Sequence, residues 1–166
     1  MRFRFLYINA VVLSLMVFAS PLNAGKVEKL PKDFKLSGLE SGVIKPKNLR
    51  NKITIMQFWA SWCGSCSKTM KTLHGISKGH RNVKFVSVSV DEDLESAHNY
   101  FKDLPKNLQP LKKFAYFDND AKLATALDIE ALPAYIVIDS KGNIIEADEG
   151  QPNKSQIKKL KSIIRN

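Results

Sequence analysis

Two hydrophobic periods alternate along this chain. Ile53–Trp59 is a short, almost unbroken apolar run, as a strand buried on both faces requires. Cys66, Met70, Leu73 and Ser77 then recur at four, three and four, which is one face of a helix running from Cys63 toward Gly79. Val83–Val90, rich in β-branched residues, predicts a second strand. Leu94–Leu104 predicts a helix ended by Pro105. A short strand over Phe114–Phe117 and a short helix over Ala121–Leu127 follow. Ala134–Ile138 predicts a further strand, Asp139–Asn143 a turn, and Ile144–Ala147 the start of a hairpin partner. Asn153 and Gln156 have capping-box spacing and open a last helix with Ile157, Leu160 and Ile164 on one face. Ahead of the first strong strand, Phe34–Ser37 and Val43–Leu49 predict a hairpin around Gly38 and Gly42.

The early strand–helix alternation requires parallel strands with right-handed crossovers, and the closing hairpin requires antiparallel pairing. The expected class is therefore α/β: a mixed central sheet flanked by helices on both faces, with an N-terminal β-hairpin extension. There are no internal repeats and no low-complexity tract.

At 166 residues the chain holds one domain and an appendage. Arg2 and Arg4 precede a mostly apolar stretch, Phe5–Phe18, and Ser20-Pro21-Leu22-Asn23-Ala24 then breaks the helix and ends on a small residue. That is the layout of a secretory signal peptide, residues 1–24, with the mature domain over residues 25–166. The alternative is an uncleaved N-terminal anchor. Either way the expected location is periplasmic or otherwise extracytoplasmic. The net charge of +10 falls to +8 without the leader, which holds two arginines and no acid. The lysines are scattered and accompany no nucleic-acid-binding motif, so no nucleic-acid partner is expected.

Composition becomes informative at the cysteines. There are two, in Trp62-Cys63-Gly64-Ser65-Cys66, between the first strong strand and its helix. A helix N-terminus offers N–H donors and the positive end of a dipole, both of which favour a thiolate. A structural zinc would need four ligands, and no second CxxC or CxxH supplies them. A bridge over so short a spacing removes little unfolded-state entropy, so it makes a poor staple. Redox chemistry explains the pair better. Cys63 is expected to be the exposed nucleophile and Cys66 the buried resolving thiol. Trp62, which abuts Cys63, is expected to line the site. No cofactor and no metal are expected. Lys68 reads as a solvated helix residue, and His74, His80 and His98 lack ligand spacing.

Glu130-Ala-Leu-Pro-Ala134 lies just before the fourth core strand. A proline opening a strand costs no ladder bond, and an ordinary trans bond would serve. The other possibility is a cis bond beside the cysteines that turns the Leu132 backbone outward to pair with an extended substrate.

The run Phe58-Trp-Ala-Ser-Trp-Cys-Gly-Ser-Cys66, with Leu132-Pro133-Ala-Tyr-Ile-Val-Ile-Asp139 and Gly142, resembles the thioredoxin superfamily. It looks most like the exported TlpA/ResA-like branch, which includes the cytochrome c maturation reductases. The resemblance spans roughly residues 30–166. It implies a thioredoxin fold, thiol–disulfide exchange with protein thiols and disulfides, and a cis bond at Pro133; with these, Trp62, Leu132 and Pro133 are expected to line a substrate groove. It favours a reductant, and a membrane electron donor and a monomeric state are expected. Several positions depart from the pattern. Gln57 stands where thioredoxins carry a buried Asp, and Thr69 where ResA-like members often carry Glu. Lys71, Ser65 and Ala134 also differ from common choices. A competing possibility is a Cu(I)-binding thioredoxin-like chaperone, for which two soft thiolates would need a third ligand.

Overall fold

The computed structural model describes residues 28–165. The expected leader, residues 1–24, lies outside the described residues. The elements in order are β1 (Leu36–Gly38), β2 (Val43–Ile44), β3 (Ile53–Trp59), α1 (Cys66–Ser77), β4 (Val83–Ser89), α2 (Leu94–Asp103), β5 (Ala115–Phe117), α3 (Lys122–Ala126), β6 (Ala134–Ile138), β7 (Ile144–Glu149) and α4 (Lys154–Ile163).

They build one seven-stranded sheet in the order β2-β1-β5-β4-β3-β6-β7. β3, β4 and β5 run parallel, while β6 pairs antiparallel with β3 and β7 with β6. The mixed sheet and its closing hairpin are as expected. The N-terminal hairpin forms too, and β1 adds it to the β5 edge, Ser37 opposite Phe117. Gly38 makes that hairpin possible: a Cβ there would lie 2.1 Å from the Ser41 carbonyl oxygen.

Two apolar layers sandwich the sheet. Ile55, Trp59, Tyr135 and Val137 pack with α1, α2 and α4 through Cys66, Leu73, Phe101 and Leu160. Met56, Phe58, Ile136 and Ile138 pack on the other face with Leu123 and Ala124 of α3. Being covered on both sides is why β3 and β6 read as unbroken apolar runs. Trp59 is fully buried, stacked on Tyr100 at 4.7 Å and edge-on to Phe101 at 5.4 Å. A ring of that size buries about 150–250 Å², roughly 4–6 kcal/mol of transfer free energy at most. This aromatic group locks α2 onto the end of β3 from which the cysteine segment leaves.

Helix caps match the sequence pattern. The side chain of Asn153 accepts from the Gln156 N–H, and that of Gln156 accepts from the Asn153 N–H. Asp93 caps α2 by accepting from the Ser96 N–H at 2.7 Å, which holds its carboxyl below the ordinary range.

Candidate active site

Parallel strands β3 and β4 end together, and the chain beyond each carries the site. After Trp59 the backbone turns through Ala60-Ser61-Trp62-Cys63, closed by the Cys63 N–H donating to the Ala60 carbonyl at 3.1 Å. Cys66 N–H donates to the Cys63 carbonyl at 3.1 Å, and α1 starts at Cys66. The helix therefore begins three residues later than the sequence periodicity implied. Cys63 precedes it in the turn rather than forming its first residue. Cys63 and Cys66 are joined by a disulfide with S–S 2.05 Å and Cα atoms 5.5 Å apart.

Both cysteines are largely enclosed. Cys66 is fully buried and Cys63 is 6% exposed, so the expectation of an exposed Cys63 is corrected. Both join the apolar layer under α1, against which Leu132 packs. Cys63 is still the outer member of the pair. Trp62 is 72% exposed, the most exposed of the large apolar side chains among the described residues.

The loop into β6 enters the sheet at the end of β3 from which the cysteine segment leaves, with Ala134 opposite Phe58. The Leu132–Pro133 peptide is cis, and Pro133 is buried. One oxygen of Glu149 accepts the N–H groups of Glu130 and Ala131 at 2.8 and 3.0 Å, and the Pro133 carbonyl accepts from Gly150 N–H. Among the described residues nothing pairs with the Leu132 N–H or carbonyl. That leaves one donor and one acceptor at the rim where an extended segment can align.

Beneath the pair lies the buried side chain of Gln57, whose Nε2 donates to the Cys66 carbonyl at 3.1 Å. An amide does not titrate, so this position supplies no general base. Tyr135, opposite Gln57 on β6, is pushed up to about 12 by burial, with Asp148 and Glu146 adding to it. Burial also pushes Tyr100 up, partly offset by hydrogen bonding with Ser67, while the Asp91 carboxylate acts in the same direction as burial. His74 packs between Phe85 and Phe114, and burial with Lys78 and Lys113 holds it below its ordinary value. It belongs to the far half of α1.

The structure thus joins Cys63 to Cys66, packs Leu132 on the layer that holds them, and sets Pro133 one residue before Ala134, which pairs with Phe58 at the end of β3 that leads to Trp62. Sequence reasoning missed Ser61, Asp91 and Glu149. Asp91 is 3% exposed, and its Oδ1 accepts both the N–H and the hydroxyl of Ser61, at 2.8 and 2.7 Å. A carboxylate immediately after a strand that leads into a capped helix was the available signal.

A thioredoxin-like family model matches residues 51–144, more than half of the chain. The chain belongs to the thioredoxin-like family. Among curated relatives, the thiol-disulfide oxidoreductase ResA of Bacillus subtilis is 24% identical over 151 residues, which is 90% of this chain and 81% of that protein. A Chlorobium tepidum structure described as a candidate thiol:disulfide interchange protein DsbE superposes with TM-score 0.71 at 20% identity, covering 86% of this chain and 99% of its own. A secreted Mycobacterium tuberculosis disulfide oxidoreductase, homologous to DsbE of E. coli, gives TM-score 0.62 at 16% identity over 80% of this chain and 94% of its own. The thioredoxin fold and the thiol–disulfide oxidoreductase class are both borne out.

Proposed function

We propose that the chain is an exported reductant of protein disulfides, with Cys63 as the attacking sulfur and Cys66 as the resolving one. The observation that carries this is the Cys63–Cys66 disulfide set beside the unpaired backbone of Leu132 and the exposed ring of Trp62. In the reduced protein the Cys63 thiolate attacks one sulfur of a partner disulfide, forms a mixed disulfide and expels the partner's other sulfur as a thiolate, which takes up a proton. Cys66 then loses its proton and attacks the Cys63 sulfur. The internal disulfide forms, and the partner leaves as a dithiol. Two electrons have passed to the partner, and a membrane donor returns them. Trp62, Leu132 and Pro133 line the groove in which the partner segment lies extended.

Export is supported by the N-terminal pattern of residues 1–24 and by the secreted relative. The mature domain is residues 25–166, acting as a monomer. Resemblance to the TlpA/ResA-like branch supports the reducing direction and cytochrome c maturation as the process served. The test is a Cys66→Ala chain expressed in its host. It should accumulate mixed disulfides through Cys63 with exported proteins, and the wild-type protein should equilibrate with glutathione nearer thioredoxin's ~−270 mV than the ~−120 mV of a strong oxidant. Partners from the cytosol alone would overturn export, and a potential near the oxidant's value would overturn the direction.

A further inference from the structure

Resting on Cys63 as the attacking sulfur, we propose that Asp91 is a positioning residue for the cysteine pair. The turn that delivers Cys63 spans Ala60 to Cys63, and Ser61 and Trp62 are its two central residues. Asp91 grips the first of these by two bonds to one oxygen, the Ser61 N–H at 2.8 Å and the Ser61 hydroxyl at 2.7 Å. Its other oxygen accepts the Ser89 hydroxyl at 2.7 Å, and the Ser89 oxygen accepts the Asp91 N–H at 3.2 Å. One step before it, Val90 N–H donates to the Trp59 carbonyl at 2.9 Å. The whole segment from Trp59 to Ser61 is therefore fastened to the end of β4. Any rotation of the turn about Ser61 would carry Trp62 and Cys63 with it.

The start of the turn is held from the same direction. Tyr100 of α2 stacks on Trp59, the residue before the turn, with ring centroids 4.7 Å apart. The turn thus has two fixed points, Ser61 held by Asp91 and Trp59 held by the Tyr100 ring of α2. A carboxylate suits the first point because it only accepts, and two oxygens meet three donors. Asparagine would keep one oxygen for Ser61 and turn an NH2 toward the Ser89 hydroxyl. Alanine would release the turn. Small displacements of an attacking atom cost rate steeply, so the function of Asp91 is read in exchange kinetics as well as in folding.

The test compares full-length wild-type protein, Asp91→Ala, Asp91→Asn and Ser61→Ala, purified in mild detergent. Each is measured for the rate at which Cys63 of the reduced protein attacks a small aromatic disulfide and for the equilibrium constant with glutathione. Thermal unfolding is followed alongside. Asp91→Ala should slow attack by about tenfold and shift the glutathione equilibrium, at a temperature where it remains folded, whereas Asp91→Asn should return to within about threefold of wild type. A purely structural Asp91 would lower the unfolding temperature and leave both other readouts alone, and that result overturns the proposal. If Asp91→Ala does not fold, Ser61→Ala decides. It should slow attack by about threefold, and an unchanged rate overturns the proposal. Wild-type protein that does not exchange through Cys63 fails the functional reading and takes this proposal with it. Wild-type exchange with an unaltered Asp91→Ala fails this proposal alone.

Discussion

Glu149→Ala isolates the loop that carries Leu132 and Pro133 from the rest of the fold. One carboxylate oxygen holds two backbone N–H groups, at 2.8 and 3.0 Å, and alanine removes both bonds at once. Hydrogen bonds to a charged group contribute about 1.5–3 kcal/mol each where the freed donor stays buried. Glu130, Ala131 and Glu149 are all exposed, so water recovers most of that, leaving roughly 0.5–1 kcal/mol per bond. The loop should lose about 1–2 kcal/mol of local stability, a factor of roughly 5–30 in its open population. The β6–β7 ladder from Ala134 opposite Glu149 onward and the Gly150–Pro133 bond remain, so the loss should stay local. Amide hydrogen exchange resolves the two levels. The Glu130 and Ala131 amides should exchange at least about fivefold faster, while the global unfolding temperature moves by less than about 3 °C. Exchange at those amides raised less than twofold (about 0.4 kcal/mol) would refute the clamp. A global fall of about 8 °C or more would refute its local character.

Three further outcomes follow from the same geometry. Trp59→Ala should cost about 3–5 kcal/mol in denaturant unfolding, since the ring is fully buried against Tyr100 and Phe101; a loss under about 2 kcal/mol would mean the stack contributes little. Trp62→Ala should change stability by no more than about 0.5 kcal/mol, because the residue is 72% exposed, while raising KM for a protein disulfide about threefold and leaving attack on a small disulfide unaltered. Equal effects on both substrates would remove Trp62 from the groove. Burial raises the Asp118 carboxyl above its ordinary 3.8 despite its bonds from Leu123 and Ala124 N–H. Its folded pKa then exceeds its unfolded one, so wild-type stability falls as pH rises from 3.8 through the raised value and stays lowered above it. Asp118→Asn should therefore gain on wild type across that interval and not below it; a gain independent of pH would show that the charge is not the cause.

The segments most legible in the sequence are those whose surroundings are uniform. β3 and β6 are covered on both faces, so Ile53–Trp59 and Ala134–Ile138 announce themselves as apolar runs with no help from distant residues. The Asn153–Gln156 cap is equally local. The start of α1 was misplaced because the Ala60–Cys63 turn is closed by a backbone bond, which leaves no residue signature. The enclosure of Cys63 depends on the apolar layer that the fold assembles around it, and so escapes a reading of Cys63 in its own segment. The pairing of β1 with β5 joins two three-residue strands far apart in sequence, beyond the reach of periodicity. Ser61 and Asp91 lie 30 residues apart, and Glu149 lies 18 and 19 residues from the amides it holds. The cysteines are visible in the sequence because their spacing is itself the chemistry. The carboxylates that fasten the Ser61 turn and the loop into β6 are visible only once the strands stand side by side.

Site-resolved alkylation of the reduced protein tests the central claim most directly. Reduced full-length chain is pulsed with iodoacetamide across a pH series, and each cysteine is quantified by mass spectrometry. Cys63 should be modified first, with a midpoint well below the ordinary thiol value of about 8.5, and Cys66 should lag at every pH. Faster modification of Cys66, or a Cys63 midpoint at or above the ordinary value, would contradict the assignment of Cys63 as the attacking sulfur.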